Sequence, residues 1–350
     1  MFVLEAVKAK HGDCLLLHWG PASAPRLALI DGGPGGIYRR FLRPRLAALA
    51  AERGVAPLAI DLAMVSHIDE DHISGLIDLA EEMELRAAPA TIGRLWHNSL
   101  EGLLDTPLDS SEVDRATAAL GGPSRRADSI WYAKVLASVR QGQILHGHAR
   151  RLGLAGTMNH PFQPLVAARR GARAARLGGL SLTVIGPALP EIEALRAAWR
   201  EKRVDGIVAA FADDSPYNLS SIVVLAAYRG RRMLLTGDAR GDHILDGLKR
   251  RRLLRNGRIH VDLLKLPHHG SQNNVTPEFF EQVTADAYVV SGDGRKHPNP
   301  HETAMTWLAD ARAGAGYKVY CTYDLPYMRR IFGRRLRLPA DGEVSVAASL

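Results

Sequence analysis

Four side chains that can bind a metal ion lie close together within residues 67–72. His67, Asp69, Asp71 and His72 form the pattern His-x-Asp-x-Asp-His. Imidazole nitrogens combined with carboxylate oxygens suit divalent ions such as Zn²⁺, Mn²⁺ or Fe²⁺. Alternation along an extended loop points the first three side chains to one side, and His72 closes around the same centre. The pattern predicts a metal site; the alternative is a solvated acidic turn with two incidental histidines.

Two further patterns downstream carry groups of the same kind. Asp238 follows Gly237 directly after an apolar run, and a carboxylate in that position is suited to bridge two metal ions. His268 and His269 follow the apolar run 261–267. We expect one of these two histidines to face the site and the other to pack or hydrogen-bond behind it.

Two other residues have both a functional and a structural interpretation. His297 follows Arg295 and Lys296 in a predicted loop, which suits a phosphate-binding corner. The alternative is that His297 caps the chain before the turn at Pro298. Asp31 ends an apolar run, where it either orients the metal ligands through hydrogen bonds or caps its strand.

The candidate ligands must be positioned by the apolar runs that precede them. Runs at 58–65, 231–236 and 261–267 are typical of buried strands, and helical spacing begins again at Ile73 and Asp242. The ligands always lie at the carboxyl ends of predicted strands. This repeat of strand, ligand loop and helix predicts an α/β protein with two packed sheets and helices outside, a four-layer αββα sandwich.

The chain 1–350 is predicted to form one such domain, with a mainly helical insertion at 99–178 covering one edge of the site. Just before this insertion, His97 and Asn98 end a predicted strand. For these two we favour a surface pair with satisfied hydrogen bonds over a pair that lines the site. Three more histidines are interpreted as incidental: His146, His148 and His160. Four arginines are interpreted as a solvated helix face, with phosphate binding as the alternative: Arg169, Arg170, Arg173 and Arg176.

Composition sets broad limits on the class of protein. The net charge of +8 and the pI near 9.6 favour a polyanionic partner, though only weakly because arginine is abundant throughout. The two cysteines, Cys14 and Cys321, lie in apolar runs and are interpreted as core residues. There is no basic segment followed by a long apolar one at the start, and no apolar run reaches the ~20 residues of a membrane span. We therefore expect a cytoplasmic protein without membrane contact.

These motifs resemble those of the metallo-β-lactamase superfamily. The likeness is strongest to the hydrolase domain of ComEC-like DNA-uptake proteins and their stand-alone relatives. It covers about 1–98 and 180–348 and leaves the insertion unexplained. The segments that carry it are 12–16, 31–33, 67–72, 218–223, 236–238 and 266–271.

The resemblance implies a hydrolase that holds one or two divalent ions, Zn²⁺ or Mn²⁺. It assigns the second metal position to Asp71, His72, Asp238 and one of His268 or His269. These ligand types are all present in the matching motifs. The second position is therefore the more completely matched of the two.

The first metal position departs from the superfamily pattern. The resemblance assigns it to His67, Asp69 and the shared Asp238, but Asp69 stands where the superfamily usually has a second histidine. The usual third histidine has no clear counterpart, and Asn218 falls near its place. The ComEC-like branch shares both departures. An oxygen-rich position of this kind favours a harder ion such as Mn²⁺.

The resemblance and the basic charge together favour a phosphodiesterase or nuclease that acts on nucleic acid or nucleotides through a metal-activated water. Asp71 or Asp238 would take the proton of the water, and the histidine of the 268–269 pair not used as a ligand, or His297, would assist the leaving group. One alternative is a hydrolase of carboxylic esters, lactones or thioesters. Another is a non-enzymatic binding module with a vestigial site.

Overall fold

The computed structural model describes residues 1–67, 69–104, 140–193, 196 and 220–350. Within these ranges the strands are β1 (Phe2–Val7), β2 (Leu15–Trp19), β3 (Arg26–Ile30), β4 (Leu58–Ile60), β5 (Leu62–Met64), β6 (Ala90–Ile92), β7 (Leu95–Trp96), β8 (Ala175–Leu177), β9 (Leu180–Gly186), β10 (Val223–Tyr228), β11 (Arg231–Leu235), β12 (Ile259–Lys265), β13 (Val283–Val290), β14 (Lys318–Cys321), β15 (Leu336–Arg337) and β16 (Ser345–Ser349).

The described helices follow the strands in the expected alternation. They are α1 (Arg43–Glu52), α2 (Glu70–Glu84), α3 (Leu100–Leu104), α4 (140–151), α5 (Gly241–Arg250), α6 (Pro277–Gln282), α7 (Glu302–Ala311) and α8 (Pro326–Phe332). A π-helical turn, Tyr38–Leu42, leads into α1, and Pro44 stands in the first turn of that helix. Proline is tolerated there because its missing N–H would have no intrahelical partner.

The first sheet has the strand order β16-β1-β2-β3-β5-β7. Strands β1, β2 and β3 form an antiparallel meander, whereas β3, β5 and β7 run parallel. In this register Ile30 pairs with Met64, and Met64 pairs with Trp96. The residues that follow these three strand ends therefore meet at one edge of the sheet.

The second sheet has the strand order β15-β14-β13-β12-β11-β10-β9-β8. Strands β11 to β14 run parallel, so their carboxyl ends also share an edge. Leu234 pairs with Leu264, and Lys265 pairs with Val289. The segments after β11, β12 and β13 are thereby placed side by side.

Three apolar clusters define four layers. One cluster lies between the sheets and joins residues of both, such as Leu17 and Met64 from the first and Val224 from the second. A second cluster packs α1 and α2 against the outer face of the first sheet, and a third packs α5 to α8 against the second. The predicted αββα sandwich is confirmed. The strands whose carboxyl ends precede the candidate ligands belong to these two packed sheets.

Element boundaries around the first ligand motif differ from the sequence prediction. The run 58–65 is divided into β4 and β5 at Asp61, whose carboxylate binds the guanidinium of Arg26 and accepts a hydrogen bond from the Leu27 backbone. Helix α2 starts at Glu70, three residues before the predicted Ile73. The acidic side chains of Glu70 and Asp71 in its first turn interact favourably with the helix dipole, which helps the helix begin earlier.

The predicted insertion is described only in part, because residues 105–139 lie outside the described ranges. The sequence also predicts helices at 111–120 and 131–140; the first lies outside the described residues, and so does the second except for Arg140, which begins α4. The remainder contains α3, α4 and an irregular segment, and its last residues form β8, which pairs with β9 at the edge of the second sheet. Among the described helices, none combines the length and apolar character needed to cross a bilayer.

Candidate metal centre

The candidate ligands from the two sheets converge on the carboxylate of Asp238. Its Oδ2 atom lies 3.4 Å from Nε2 of His72 and 3.8 Å from Nε2 of His67, which both follow the first sheet. The same oxygen lies 3.5 Å from Nε2 of His268 and 3.6 Å from Nε2 of His269, after the second sheet. Asp238 is 3 % exposed. One buried carboxylate is therefore surrounded by four imidazole rings.

The two acidic residues of the first motif lie at the open side of this cluster. Asp69 Oδ2 is 3.6 Å from His67 Nε2. Asp71 is 3.9 Å from His72 Nε2 through Oδ1 and 4.0 Å from His269 Nε2 through Oδ2. Their side chains are 39 % and 20 % exposed, in contrast to the buried Asp238. These two carboxylates thus form the border between the buried cluster and solvent.

The ring of His72 is oriented by Asp31, which follows β3. His72 Nδ1 lies 2.9 Å from Asp31 Oδ2, and the same carboxylate accepts hydrogen bonds from the backbone N–H and the hydroxyl of Ser66. An ionised carboxylate only accepts hydrogen bonds, so the proton of a neutral His72 must sit on Nδ1. Its Nε2 lone pair then points towards Asp238. Of the two interpretations given for Asp31, orientation of a ligand agrees with these contacts.

The ring of His269 is oriented by a buried chain of three side chains. Lys265 Nζ lies 2.7 Å from Asp13 Oδ2, and the Ser291 hydroxyl donates to Asp13 Oδ1 at 2.5 Å. His269 Nδ1 lies 2.8 Å from Ser291 Oγ. Because the hydroxyl hydrogen is used on Asp13, the serine oxygen can only accept, so His269 donates from Nδ1 and leaves Nε2 free for the centre.

His268 is oriented from the other side by Asn274. The Asn274 amide nitrogen donates to the backbone carbonyl of Asp238 at 3.1 Å, which leaves its Oδ1 as the acceptor for His268 Nδ1 at 2.8 Å. His268 thus also carries its proton on Nδ1 and presents Nε2 to Asp238. Both His268 and His269 adopt positive φ angles of 44° and 54°. This left-handed backbone, uncommon outside glycine, allows two neighbouring rings to face the same carboxylate.

The arrangement fits a divalent cation. Among the described residues, four buried atoms of the cluster have no hydrogen-bond partner: His67 Nε2, His72 Nε2, His269 Nε2 and Asp238 Oδ1. Such atoms are costly to bury without a partner, and a bound cation would satisfy them. Ligands about 2.0–2.1 Å from a tetrahedral ion lie roughly 3.3 Å apart, close to the shortest separations here. The possible ligands form compact groups, among them His67, His72 and Asp238, and Asp71, His72 and His269.

Neighbouring charges shift the pKa values of groups in the cluster. Burial would lower the pKa of His72, but the carboxylates of Asp238, Asp31 and Asp71 outweigh it and raise that pKa well above its usual range. Burial would raise the pKa of Asp238, but the surrounding imidazoles hold it well below its usual range. The surrounding rings therefore keep the central carboxylate of Asp238 ionised, as cation binding requires.

Two glycine contacts hold the ligand loop in place. A Cβ atom on Gly12 would overlap the carbonyl oxygen of Asp71, so only glycine lets the β1–β2 turn approach the ligand loop this closely. Gly75 on α2 similarly packs against the backbone of Gly32, directly after Asp31. The first turns of α2 are thus pressed onto both loops of the first sheet.

His297 lies in a polar rim next to the centre. Its ring packs edge-on against His11, with ring centroids 5.9 Å apart. Nε2 of His11 is 3.0 Å from Lys296 Nζ and 3.8 Å from the Glu70 carboxylate. The nearby His11 ring is the main cause that lowers the pKa of Glu70 to about 2, and partial burial opposes it. His11 adjoins Gly12, so this rim borders the ligand loop directly.

The sequence interpretation of His97 and Asn98 as a surface pair is wrong. They are 1 % and 4 % exposed, because the segment around Val166 folds over the end of β7. The Asn98 side chain and the Val166 backbone exchange two hydrogen bonds of 2.9 Å. The rings of His97 and His146 face each other, with their centroids 5.1 Å apart. Burial holds the pKa of His97 well below its usual value and also lowers the pKa of His146.

Sequence reasoning missed several residues that orient the site. The sequence patterns do not identify Asp13, Lys265, Ser291, Asn274 or His11 as part of the site. Lys265 had a usable signal, because a lysine inside the apolar run 261–267 must find a buried partner. Asp13 and Ser291 had none, since the two residues lie 278 positions apart in the sequence.

Part of the chain is similar to a known family of metal-binding proteins. A family model described as the metallo-beta-lactamase superfamily matches residues 25–132, which include the complete His-x-Asp-x-Asp-His pattern. The matched part is less than half of the chain. It supports the resemblance for the segment that supplies His67, Asp69, Asp71 and His72.

Solved structures similar to this chain are distant. The metallo-beta-lactamase fold protein YhfI from Bacillus subtilis is 10% identical, with 99% of each chain covered and a TM-score of 0.41. Zn(2+)-bound PqqB from Methylobacterium extorquens is 11% identical, with 100% of each chain covered and a TM-score of 0.42. A mutant of the CmlA beta-hydroxylase is 14% identical, with 100% of this chain and 54% of that chain covered and a TM-score of 0.45. At this level of similarity these proteins do not indicate a substrate.

Proposed function

We propose that this chain is a metal-dependent hydrolase that cleaves phosphodiesters of nucleic acid or nucleotides. The observation that carries the proposal is the buried cluster in which four imidazole Nε2 atoms lie within 3.8 Å of Asp238 Oδ2. Three of these nitrogens have their other ring nitrogen hydrogen-bonded, so each lone pair is available inside the cluster. The resemblance to ComEC-like hydrolases supports the same reaction class.

The residues divide into two metal positions. His67 and Asp69 would hold one ion together with the shared Asp238, and Asp71, His72 and His269 would hold the other together with the same carboxylate. The oxygen contributed by Asp69 favours Mn²⁺ over Zn²⁺ at the first position. When bound, such ions lower the pKa of a water towards ~7 and polarise the phosphoryl group.

Two side chains at the open border are placed to move protons. Asp71 is more exposed than Asp238 and is not surrounded by imidazoles, so we assign to its carboxylate the role of accepting the proton of the attacking water. His268 is 32 % exposed, and its Nε2 faces the cluster. It can therefore hold a proton for the departing oxygen and regain one from bulk water.

The rim of His11, Lys296 and His297 supports an anionic substrate. Lys296 is exposed, and its ammonium group lies beside His11, which adjoins the ligand loop. A cation in this position would interact favourably with a phosphodiester and would add nothing for a neutral ester. This rim is what favours phosphodiesters over carboxylic esters, lactones and thioesters.

The test compares hydrolysis of bis-p-nitrophenyl phosphate with hydrolysis of p-nitrophenyl acetate, each with Mn²⁺ and with Zn²⁺. We expect the phosphodiester to be the better substrate, and Asp238→Asn to reduce its kcat/KM by at least ~10³-fold, as loss of a group central to catalysis does. Asp341→Asn changes an exposed carboxylate that is not part of the cluster; it is the matched control and should keep full activity. Preferential ester hydrolysis would indicate acyl transfer instead, and full activity of Asp238→Asn would reject the centre.

A further inference from the structure

Besides the rim of His11, Lys296 and His297, basic side chains also line a cavity remote from the metal centre. The cavity has a volume of about 530 Å³, and four basic side chains contribute to its lining: Arg232, Arg255, Arg258 and His260. This volume is within the range of about 300–1,000 Å³ that is typical of ligand pockets. We call it the arginine pocket.

Two of its arginines come from one tight turn. The backbones of Arg255 and Arg258 exchange two hydrogen bonds, of 2.8 and 3.0 Å, across Asn256 and Gly257. An Asn-Gly turn of this kind fixes both flanking side chains on a short hairpin. Both arginines are exposed, and neither forms an ion pair with a carboxylate of the described residues. Their charges are available to a ligand.

The third guanidinium group is held in place by the backbone. Arg232 donates from Nη2 to the carbonyl of His260 at 2.6 Å. The nearby Asp262 carboxylate binds the side chain of Arg231 and the backbone N–H of Arg232. The guanidinium of Arg232 is thus positioned without an ion pair of its own. Two carboxylates lie near the pocket: Asp262, 2.7 Å from the backbone nitrogen of Arg232, and Asp286, 3.3 Å from His260 Nε2.

The pocket and the metal centre lie at opposite ends of the same strands. The lining residues Arg232 and Ile259 belong to the amino-terminal ends of β11 and β12, whereas Asp238 and His268 follow their carboxyl ends. The seven residues of β12 span about 23 Å at ~3.3 Å per residue. A ligand in the pocket therefore cannot also be at the metal centre unless it is long.

Further arginines extend the basic surface beyond the pocket. Arg229 precedes the lining residue Gly230, and Arg252 precedes the lining residue Leu253; both arginines are exposed. A single small anion would leave these charges unused. A chain of phosphates would contact the pocket and its surroundings together.

We propose that the arginine pocket binds the phosphate backbone of a polynucleotide substrate at a distance from the site of cleavage. This inference rests on the proposed phosphodiesterase function. Planar guanidinium groups bind phosphate oxygens through paired hydrogen bonds, and three of them line this one cavity. A strand with a rise of about 3.4 Å per nucleotide needs at least about seven nucleotides to span from the pocket to the centre.

The direct test measures binding of a fluorescein-labelled, 20-nucleotide single strand with a phosphorothioate backbone to the metal-loaded full chain. Fluorescence anisotropy is recorded over a range of salt concentrations. The double variant Arg255→Ala/Arg258→Ala should raise the Kd at least ~10-fold and reduce the salt slope by about 1.4, at ~0.7 per phosphate contact. The control variant Arg334→Ala/Arg337→Ala removes two exposed arginines with the same spacing and should change the Kd less than about threefold.

Kinetics separate this inference from the proposed function. We expect the Arg255/Arg258 double variant to raise the KM for a cleavable 20-nucleotide strand at least ~10-fold while leaving kcat/KM for bis-p-nitrophenyl phosphate unchanged. If the wild-type chain binds the strand through these arginines but cleaves no phosphodiester, the proposed function fails and the pocket assignment stands.

Three results would overturn the pocket assignment while the phosphodiesterase activity remains. The first is unchanged strand binding in the Arg255/Arg258 variant. The second is an equal loss in the Arg334/Arg337 control, which would show unspecific charge attraction. The third is an equal loss of binding to poly-glutamate, because the pocket would then recognise negative charge and not phosphate.

Discussion

Replacing Ser291 by alanine tests how the orientation of His269 supports metal binding. The Ser291 hydroxyl accepts from His269 Nδ1 at 2.8 Å and donates to Asp13 at 2.5 Å. Without it, the His269 ring loses the contact that fixes its tautomer and its rotation. Hydrogen-bond partners of metal-binding histidines typically contribute 10- to 100-fold to metal affinity, which is about 1.4–2.7 kcal/mol.

The structure places the expected effect at the lower end of that range. His269 Nδ1 lies only 3.4 Å from Asp13 Oδ1, so a movement of about half an ångström would form a direct hydrogen bond. We therefore expect roughly a 10-fold weaker metal affinity. Replacing Asp13 itself would be a poor test, because it would leave the buried ammonium of Lys265 unpaired, which costs about 3–5 kcal/mol of folding free energy.

The assay is a competition between the protein and a chromophoric chelator for Zn²⁺ and for Mn²⁺ at fixed pH. Ser345→Ala is the matched control, since that hydroxyl also donates to a carboxylate, Glu5, at 2.5 Å but lies away from the cluster. Both variants should lose about 2 kcal/mol of unfolding free energy, measured in urea with EDTA. Only Ser291→Ala should bind metal more weakly. Unchanged affinity in Ser291→Ala, or an equal loss in Ser345→Ala, would refute the reasoning.

Two further predictions concern close packing and pH. Gly12→Ala would force a methyl group onto the carbonyl oxygen of Asp71 and should cost about 1–3 kcal/mol of unfolding free energy together with most of the metal affinity. Gly316→Ala, whose methyl group meets no neighbouring atom, should leave metal affinity unchanged. Urea unfolding measures the free energy, and the chelator competition measures the affinity. Burial alone would raise the pKa of Glu5. Hydrogen bonds with His18, Arg45 and Ser345 outweigh this effect and lower the pKa to about 2. Because the folded pKa is depressed, this carboxylate stabilises the fold above about pH 4.5, and the effect, up to about 3 kcal/mol, is lost as the pH falls towards 2. Urea unfolding of wild type and Glu5→Gln should therefore differ most above pH 5 and converge by pH 2; a constant difference would contradict the assigned pKa.

The candidate ligands could be found from the sequence because their signal is local. His67, Asp69, Asp71 and His72 follow one another after an apolar run, and the strand that holds them needs no distant information to be recognised. The same is true of Asp238 after β11 and of His268 and His269 after β12. Parallel strands carry their carboxyl ends to one edge, which predicts convergence before any distance is known.

The residues that orient these ligands could not be found in this way. Ser291 and Asp13 are 278 residues apart, and the pairing of Asp13 with Lys265 joins a turn of the first sheet to a strand of the second. No periodic pattern records which turn faces which strand. The burial of His97 likewise depends on a segment near Val166 that folds back over the end of β7.

The sequence alone therefore determined the chemistry of the ligands, the strands that deliver them and the layered class of fold, since hydrophobic periodicity and strand ends are properties of neighbouring residues. Only the tertiary structure decided which nitrogen of each histidine faces Asp238 and which buried charges fix it there. It also decided that Arg232, Arg255 and Arg258 share one cavity. These features arise where strands distant in sequence pack side by side, and the order of that packing is a property of the whole chain.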